Sequence, residues 1–324
     1  MDGVKIKKRP KLKNPILIVA WPGMGDVAFK SAFYLVEHLK AVELAQIYPE
    51  EFFYLTGSVI KSGILSTPEL PYSKFYFWKN KSGKNDIIIF ISNAQPDLAK
   101  SAEYCEMILS LAKTFKVKTV IGFAAMPQAV EHTDKPKVWF SATSAALNAN
   151  LAKLGLNLLS EGQISGMNGL FLGYAKEKGI PGFCLLAEIP LYTIQIENPR
   201  ASFSVLEALG KTLNIEFDLS GLLAQAQIIE EEINKLLDYL KVGAQSSGIG
   251  PIEEDEIEKM KKTLGQLTKL PASVKDKIEV LFQSAKNDIS KANELKTELD
   301  KWNVYKEYED RFLDLFKKPK DKGN

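Results

Sequence analysis

The sequence has few of the residues that most often carry enzyme chemistry. Its 324 residues include two cysteines and two histidines. Cys105 and Cys184 are far apart and each lies in an apolar stretch, so their spacing does not fit a zinc site. Such cysteines are typical of reduced core residues in a cytosolic protein. We therefore expect no metal cluster and no cofactor.

Long apolar runs and a strong net charge are also absent. No run approaches the roughly 18–20 apolar residues of a membrane helix, and the start, MDGVKIKKRP, lacks the apolar segment of a signal peptide. The net charge is +2, so no global field attracts nucleic acid or a membrane. We expect a cytoplasmic protein and expect neither a membrane nor nucleic acid as its partner.

Short apolar runs alternate with helical patterns over residues 15–241. The runs at 15–20, 86–91, 118–123 and 182–187 predict buried strands, because strands covered on both faces are apolar throughout. A helical pattern follows each run along the chain. This alternation predicts an α/β domain, a three-layer sandwich with a largely parallel sheet.

The character of the sequence changes near its ends. Residues 242–251 (VGAQSSGIGP) are small and predict a linker, while 252–318 are rich in strong helix formers and predict a helical extension. Residues 1–14 and 319–324 are rich in lysine. We interpret them as a basic arm and a basic tail exposed to solvent, since termini are usually disordered unless another element holds them.

Apolar residues recur in the helical extension with the spacing of a coiled coil. Four of them repeat every seven residues and two more fill the offset positions, which predicts about three heptads of seam. The predicted interaction surface consists of Ile278, Phe282, Ala285, Ile289, Ala292 and Leu299. This surface could pair with itself, with a second copy or with the α/β body.

Glycines and polar residues at the predicted strand ends form a candidate ligand crevice. The turn 23–25 follows a buried strand and opens a helix, which can direct backbone N–H groups at an anion. However, Ala28 replaces the third glycine of a dinucleotide fingerprint, and the phosphate-loop pattern is absent. Ligands of open α/β sheets bind at the carboxyl ends of strands. The candidate residues are Gly23, Gly25, Asp26, Asn93, Ser165, Gly166, Asn168, Gly169 and Glu188.

No complete catalytic set accompanies this crevice. His132 follows a predicted strand and is the one histidine placed to act as a general base. No Gly-x-Ser-x-Gly nucleophile elbow occurs in the sequence. We therefore assign no catalytic residue and expect His132 to form hydrogen bonds within its loop.

Four segments occur together in a characteristic order and spacing: 15–35 (PILIVAWPGMGDVAFKSAFYL), 132–143 (HTDKPKVWFSAT), 161–209 and 217–222 (FDLSGL). Together they resemble the family named after proteasome assembly chaperone two, over about residues 15–240. The resemblance implies an α/β sandwich similar to the phosphorylase and hydrolase-like fold, and homo-oligomers. It also implies that eukaryotic and archaeal members assist assembly of the proteasome α ring.

The sequence departs from archaeal assembly factors of this type in one motif. Those proteins end in a hydrophobic–Tyr–any-residue triplet that docks on the α ring. Here the end reads Lys322-Gly323-Asn324, and the triplet from Val304 to Lys306 is internal. The resemblance therefore does not imply docking on a proteasome through this terminus.

The resemblance and the incomplete catalytic set favour a protein-binding or assembly-chaperone-like factor over an enzyme. We expect it to act as a homo-oligomer, with itself and either proteasome α subunits or another protein complex as partners. The alternative is a small-molecule-binding or hydrolase/phosphorylase-like protein whose ligand occupies the crevice at the carboxyl ends of the strands.

Overall fold

The structure, a computed structural model, describes residues 3–81, 83–242, 272–301 and 305–316. The chain divides into two compact units, Met1–Met260 and Lys261–Asn324. Beyond its first residue the predicted linker lies outside the described residues, as does the predicted basic tail. No helix among the described residues is long and apolar enough to span a membrane.

Eleven strands are described, all in the first unit. In chain order they are β1 (Val4–Ile6), β2 (Ile16–Ala20), β3 (Val42–Ile47), β4 (Val59–Lys61), β5 (Ile64–Ser66), β6 (Ser73–Trp78), β7 (Ile87–Ser92), β8 (Thr119–Gln128), β9 (Val138–Ala142), β10 (Asn157–Leu158) and β11 (Gly182–Pro190). Nine of them form one sheet in the order β1-β3-β6-β7-β2-β8-β11-β9-β10, and β4 and β5 form a separate hairpin.

The centre of the large sheet is parallel. Strands β7, β2, β8 and β11 run in one direction, with Ile18 opposite both Ile89 and Ile121. Toward the edges β6, β3 and β1 pair antiparallel, as does β9 with β11. Every residue of β2, β7 and β11 is buried, as expected for strands covered on both faces. The predicted α/β class is confirmed.

Six helices are described in the first unit. They are α1 (Val27–His38), α2 (Ser101–Thr114), α3 (Ala145–Ala152), α4 (Met167–Glu177), α5 (Pro199–Leu213) and α6 (Ser220–Val242). Helices α2 and α4 lie on the face that carries Leu17 and Val19. Helices α1 and α5 pack on the other face, and α6 packs against α5.

An aromatic cluster fills the core beneath α2 and α4. Trp21 is fully buried, and its ring centroid lies 5.3 Å from that of Phe90, 5.7 Å from that of Phe171 and 6.4 Å from that of Tyr104. All three pairs are tilted, which is a favourable arrangement for aromatic rings. This cluster fixes the position of Trp21, which directly follows β2 and leads into the predicted glycine turn.

The structure corrects one part of the prediction for residues 1–14: another element holds the arm, although its described lysines are exposed. Strand β1 lies in this segment and pairs antiparallel with β3, with Val4 opposite Ile47. The next residue, Lys7, donates its N–H to the Leu44 carbonyl at 2.8 Å. The physical reason is that the edge of β3 presents unpaired backbone groups, and the alternating Val4 and Ile6 suit a strand.

The second unit is a small helical assembly with its own core. Its described helices are α7 (Ala272–Asn287), α8 (Ala292–Lys301) and α9 (Tyr305–Asp314). Their buried apolar side chains form one cluster, made of Ile278, Phe282, Ala285, Ala292, Leu295, Leu299 and Phe312.

The predicted coiled-coil seam is therefore not carried by one continuous helix. Helix α7 ends before Asp288, whose carboxylate accepts hydrogen bonds from the Ser290 N–H at 3.1 Å and the Ser290 hydroxyl at 2.7 Å. Five of the six seam residues are buried in the core of their own unit, and Ile289 is 50% exposed. An amphipathic helix pair shares the spacing of a coiled coil, so the sequence pattern fits both.

Candidate functional site

The turn between β2 and α1 is the centre of the predicted crevice. Two consecutive residues adopt left-handed backbone conformations, Gly25 at φ +59° and Asp26 at φ +49°. For a residue other than glycine this conformation costs about 1–2 kcal/mol. A Cβ atom on Gly25 would lie 3.3 Å from side-chain atoms of Ile189 and Asn198, so the backbone conformation and this close approach both favour glycine there.

The loop between β11 and α5 holds this turn through its backbone. Gly25 donates its N–H to the Ile194 carbonyl at 2.7 Å and accepts from the Asn198 N–H at 2.8 Å, while Asp26 donates to the Gly23 carbonyl at 3.0 Å. The N–H of Gly25, one of those that the sequence suggested for an anion, and the N–H of Asp26 beside it are thus engaged inside the protein.

Asp26 is the most perturbed acid in this region. Burial raises its pKa to about 6, against the attraction of Lys30 and with a smaller contribution from Glu197. Lys30 and Glu197 also form an ion pair with each other at 2.7 Å. Although Asp26 occupies the N-cap position of α1, its side chain makes no capping hydrogen bond. The carboxyl group therefore titrates near pH 6.

Two amide side chains join α4 to the end of β2. Asn168, only 5% exposed, accepts from the Trp21 N–H and donates to the Trp21 carbonyl, both at 3.0 Å. Gln95 donates to the Pro22 carbonyl at 2.7 Å and accepts from the Met167 N–H at 3.0 Å. Both ends of each amide are used, so these residues position the backbone of the crevice.

Sequence reasoning missed Gln95. It lies two residues after Asn93 in the same strand-end loop, and Gly166 packs beside it, with an added Cβ 3.4 Å from its amide nitrogen. Asn93 itself accepts from the Tyr72 N–H at 2.7 Å, which ties it to the segment before β6. Ser165 is exposed beside Gly166.

Glu188 and His132 belong to a different part of the strand edge. Glu188 is buried and accepts from the Trp139 indole N–H at 2.9 Å. The ring nitrogens of His132 lie 2.9 Å from the Tyr192 hydroxyl and 3.0 Å from the Asn234 side-chain oxygen. Both line a cavity of about 20 Å³, enough for about one water molecule. The prediction that His132 bonds within its own loop is therefore wrong, because its partners lie after β11 and in α6, which the tertiary fold brings beside it.

Both cysteines are buried thiols. Burial raises the pKa of the Cys105 and Cys184 thiols to about 12, so both stay protonated at neutral pH and neither is a ready nucleophile. Over the described part of the chain, no group of histidine, cysteine and acidic side chains is arranged to hold a metal ion.

The structure thus gathers part of the predicted crevice and separates the rest. Gly23, Gly25, Asp26, Gly166 and Asn168 lie around the end of β2, and Glu188 lies over β9. Gly169 faces a further cavity beside α4. Ligand binding by the predicted set stays a prediction.

Comparison with known proteins decides the family. The model of the PAC2 family matches residues 17–237. The chain belongs to the PAC2 family. This agrees with the resemblance in the four sequence segments, and residues 261–324, the second unit, lie beyond the PAC2 match.

Solved structures of PAC2 relatives share the fold. One is PbaB of Pyrococcus furiosus, an archaeal proteasome activator, at 26% identity and a TM-score of 0.62, covering 72% of this chain and 97% of that one. Another is PbaA of the same organism, an archaeal homolog of proteasome-assembly chaperone, at 28% identity and a TM-score of 0.56, covering 74% and 98%. A sequence relative, MJ1210 of Methanocaldococcus jannaschii, is 27% identical over 259 residues, which are 78% of this chain and 95% of the relative.

Proposed function

We propose that this PAC2 protein is a protein-binding, assembly-chaperone-like factor that acts as a homo-oligomer. Membership of the family supports this role, and so do the names of PbaB, a proteasome activator, and PbaA, a homolog of proteasome-assembly chaperone. Proteasome α subunits are accordingly the first external partner to test. One feature of the fold carries the proposal, a long insertion between two neighbouring strands.

The insertion comprises residues 48–72. Strands β3 and β6 are antiparallel neighbours, with Ile47 opposite Ser73, and two turn residues suffice to join such strands. The chain instead extends into the hairpin β4–β5, whose strands pair with each other and with no strand of the large sheet. This connection is far longer than the roughly 2–6 residues usual between neighbouring elements.

The hairpin presents apolar side chains to solvent. Ile60 and Leu65 lie opposite each other and are each 68% exposed, and Ile64 is 71% exposed. An isolated two-stranded hairpin is marginally stable in water, and clustered exposed apolar groups mark protein interfaces. We therefore propose that the protein contacts its partner through this hairpin.

A second copy of this chain is the occupant that the hairpin fits. Residues 58–67 contain a single charged residue, Lys61, so two copies meet with little electrostatic repulsion. The outer edges of β4 and β5 have unpaired backbone groups, and two such edges can pair across a two-fold axis. The proposed contact is thus a four-stranded sheet made from two hairpins.

The test is the oligomeric mass of the full-length protein and of a double variant, Ile60→Asp with Leu65→Asp, by light scattering after size exclusion. We expect an oligomer for the wild type and a smaller species for the variant, with unchanged circular dichroism because both side chains are exposed. Ile228→Asp, at an exposed position of α6, is the matched control and should keep the wild-type mass. A monomeric wild type, or an unchanged mass in the double variant, would contradict the proposal.

External partners are tested by native mass spectrometry of the protein purified from its source cells with an N-terminal tag. Stoichiometric proteasome α subunits would support the assembly role. Recovery of a homo-oligomer alone would restrict the proposal to self-association.

A further inference from the structure

A cavity of about 310 Å³ lies between α4, the end of β9 and the loop of residues 159–164. We call it the α4 cavity. It shares only Gly169 with the predicted crevice. Its volume is at the lower end of the roughly 300–1,000 Å³ typical of ligand pockets, so it suits a small molecule.

Two glycines of α4 line this cavity, and only one of them is required by the fold. A Cβ atom on Gly169 would overlap the carbonyl oxygen of Ile164. Gly173 differs, because it has no positive φ angle and an added Cβ would meet no atom within 4 Å. Glycine inside a helix is destabilising relative to alanine, so neither conformation nor packing accounts for Gly173. Its effect is to keep the wall of the cavity open.

Two opposite charges border the same cavity. Lys176 lies three residues beyond Gly173, on the same side of α4, and Glu161 lies in the facing loop. Within the described part of the chain, neither side chain forms an ion pair with the other or with a third residue. A ligand that carries one negative and one positive group complements this arrangement.

Neutral polar groups complete the lining. The hydroxyl-bearing residues Ser141, Thr143 and Ser160 line the cavity together with the apolar Leu172. Hydroxyl groups both donate and accept hydrogen bonds, so Ser141 and Ser160 can bind either end of a zwitterion, while the Thr143 hydroxyl already accepts from the Gly182 N–H at 2.9 Å. A few polar groups on a partly apolar wall are the usual composition of a small-molecule site.

We propose that the α4 cavity binds a zwitterionic α-amino acid, with Lys176 binding the carboxylate and Glu161 the ammonium group. The cavity is separate from the β4–β5 hairpin in sequence and fold, so this site stands or falls independently of the proposed self-association.

The experiment uses the full-length protein and each of the twenty free L-amino acids at millimolar concentration. Thermal unfolding is expected to shift upward, in a saturable manner, with at least one of them, and calorimetric titration then gives its Kd. Lys176→Gln should weaken binding by about tenfold or more, since it removes a charge-assisted hydrogen bond. Gly173→Leu should abolish binding, because the new side chain occupies the open space of the cavity.

Glu177→Leu is the matched control, because Glu177 is exposed on the same helix and does not line the cavity; binding should be retained. The proposal is overturned if none of the twenty amino acids gives a saturable shift. It is equally overturned if the shift persists unchanged in Gly173→Leu and Lys176→Gln, since stabilisation by solvent exclusion needs no site.

Discussion

At the scale of single residues, Asn168 links the helix α4 to the first central strand. Its side chain satisfies both backbone groups of Trp21 inside the core. Such a residue acts by positioning the turn at residues 23–26, because both ends of its amide are already bonded.

Asn168→Ala is expected to lower the free energy of unfolding by about 2–4 kcal/mol, since it leaves a buried N–H and a buried carbonyl without partners. Urea unfolding measures the change. Asn93→Ala is the control: Asn93 is exposed and accepts one hydrogen bond, from Tyr72, so its loss should be below about 1 kcal/mol. Equal losses for the two variants would contradict the positioning role of Asn168.

Asp26 makes stability depend on pH in an unusual direction. Its pKa is about 6 in the folded protein, above the ordinary value of 3.8. The folded state therefore binds the Asp26 proton more tightly than the unfolded state does. As a result, the contribution of Asp26 to the free energy of unfolding falls as pH rises from about 4 to 6. Above that window the ionised, partly buried carboxylate destabilises the fold.

We therefore expect Asp26→Asn to raise Tm at pH 7.5 and to leave Tm nearly unchanged at pH 4, as followed by thermal unfolding. Asparagine also tolerates the left-handed conformation at this position. Asp218→Asn serves as a control of opposite sign, because hydrogen bonds from Ser220 lower the pKa of Asp218; it should lower Tm slightly at pH 7.5. The same shift at both pH values in Asp26→Asn would argue against this titration.

At the scale of elements, helix α4 shows that two glycines in one helix can have different roles. Gly169→Ala is expected to lower the free energy of unfolding by about 1–3 kcal/mol, because the new methyl group overlaps the Ile164 carbonyl. Gly173→Ala is expected to raise it by about 0.5–1 kcal/mol through helix propensity. Urea unfolding of the pair gives the comparison, and changes of the same sign would contradict the geometry.

The hairpin β4–β5 is an element that sequence reasoning did not predict. Its signal was present, since Ser62-Gly63 lies between two short apolar runs and both residues have positive φ angles, as two-residue hairpin turns require.

The heptad pattern of the helical extension was predicted, but it was interpreted as the seam of one continuous coiled coil. The break at Asp288 was not foreseen, because the helical period continues across it.

At the scale of the whole molecule, the PAC2 match and the described α/β core both end by Val242. Residues 1–242 alone are therefore expected to fold, with a Tm within about 4 °C of full length, a change of ~1 kcal/mol for a domain of this size. Tryptophan fluorescence, from Trp21, Trp78 and Trp139 in the truncated protein, reports the transition. Loss of cooperative unfolding on truncation would show that the first unit depends on the second.

The same truncation distinguishes between two candidate surfaces for self-association, the β4–β5 hairpin and the predicted tail surface. If the hairpin forms the contact, residues 1–242 keep the subunit number of full length. If the predicted tail surface forms it, the truncated protein is monomeric. Light scattering distinguishes these outcomes directly.

The sequence by itself determined the α/β class, the buried central strands and the glycine turn after β2. These are local properties: apolar runs such as 86–91 and turn residues such as Gly25 act through neighbours along the chain. The family resemblance also rests on motifs that can be read without a structure.

Only the tertiary structure decided which strand ends meet and which polar groups remain free. Asn168 bonds Trp21 across 147 residues, and Gln95 bonds Met167 across 72. Likewise, the α4 cavity joins the end of β9, a loop and a helix face. No local pattern encodes such contacts, because they depend on the order of strands in the sheet and on the packing of helices over it.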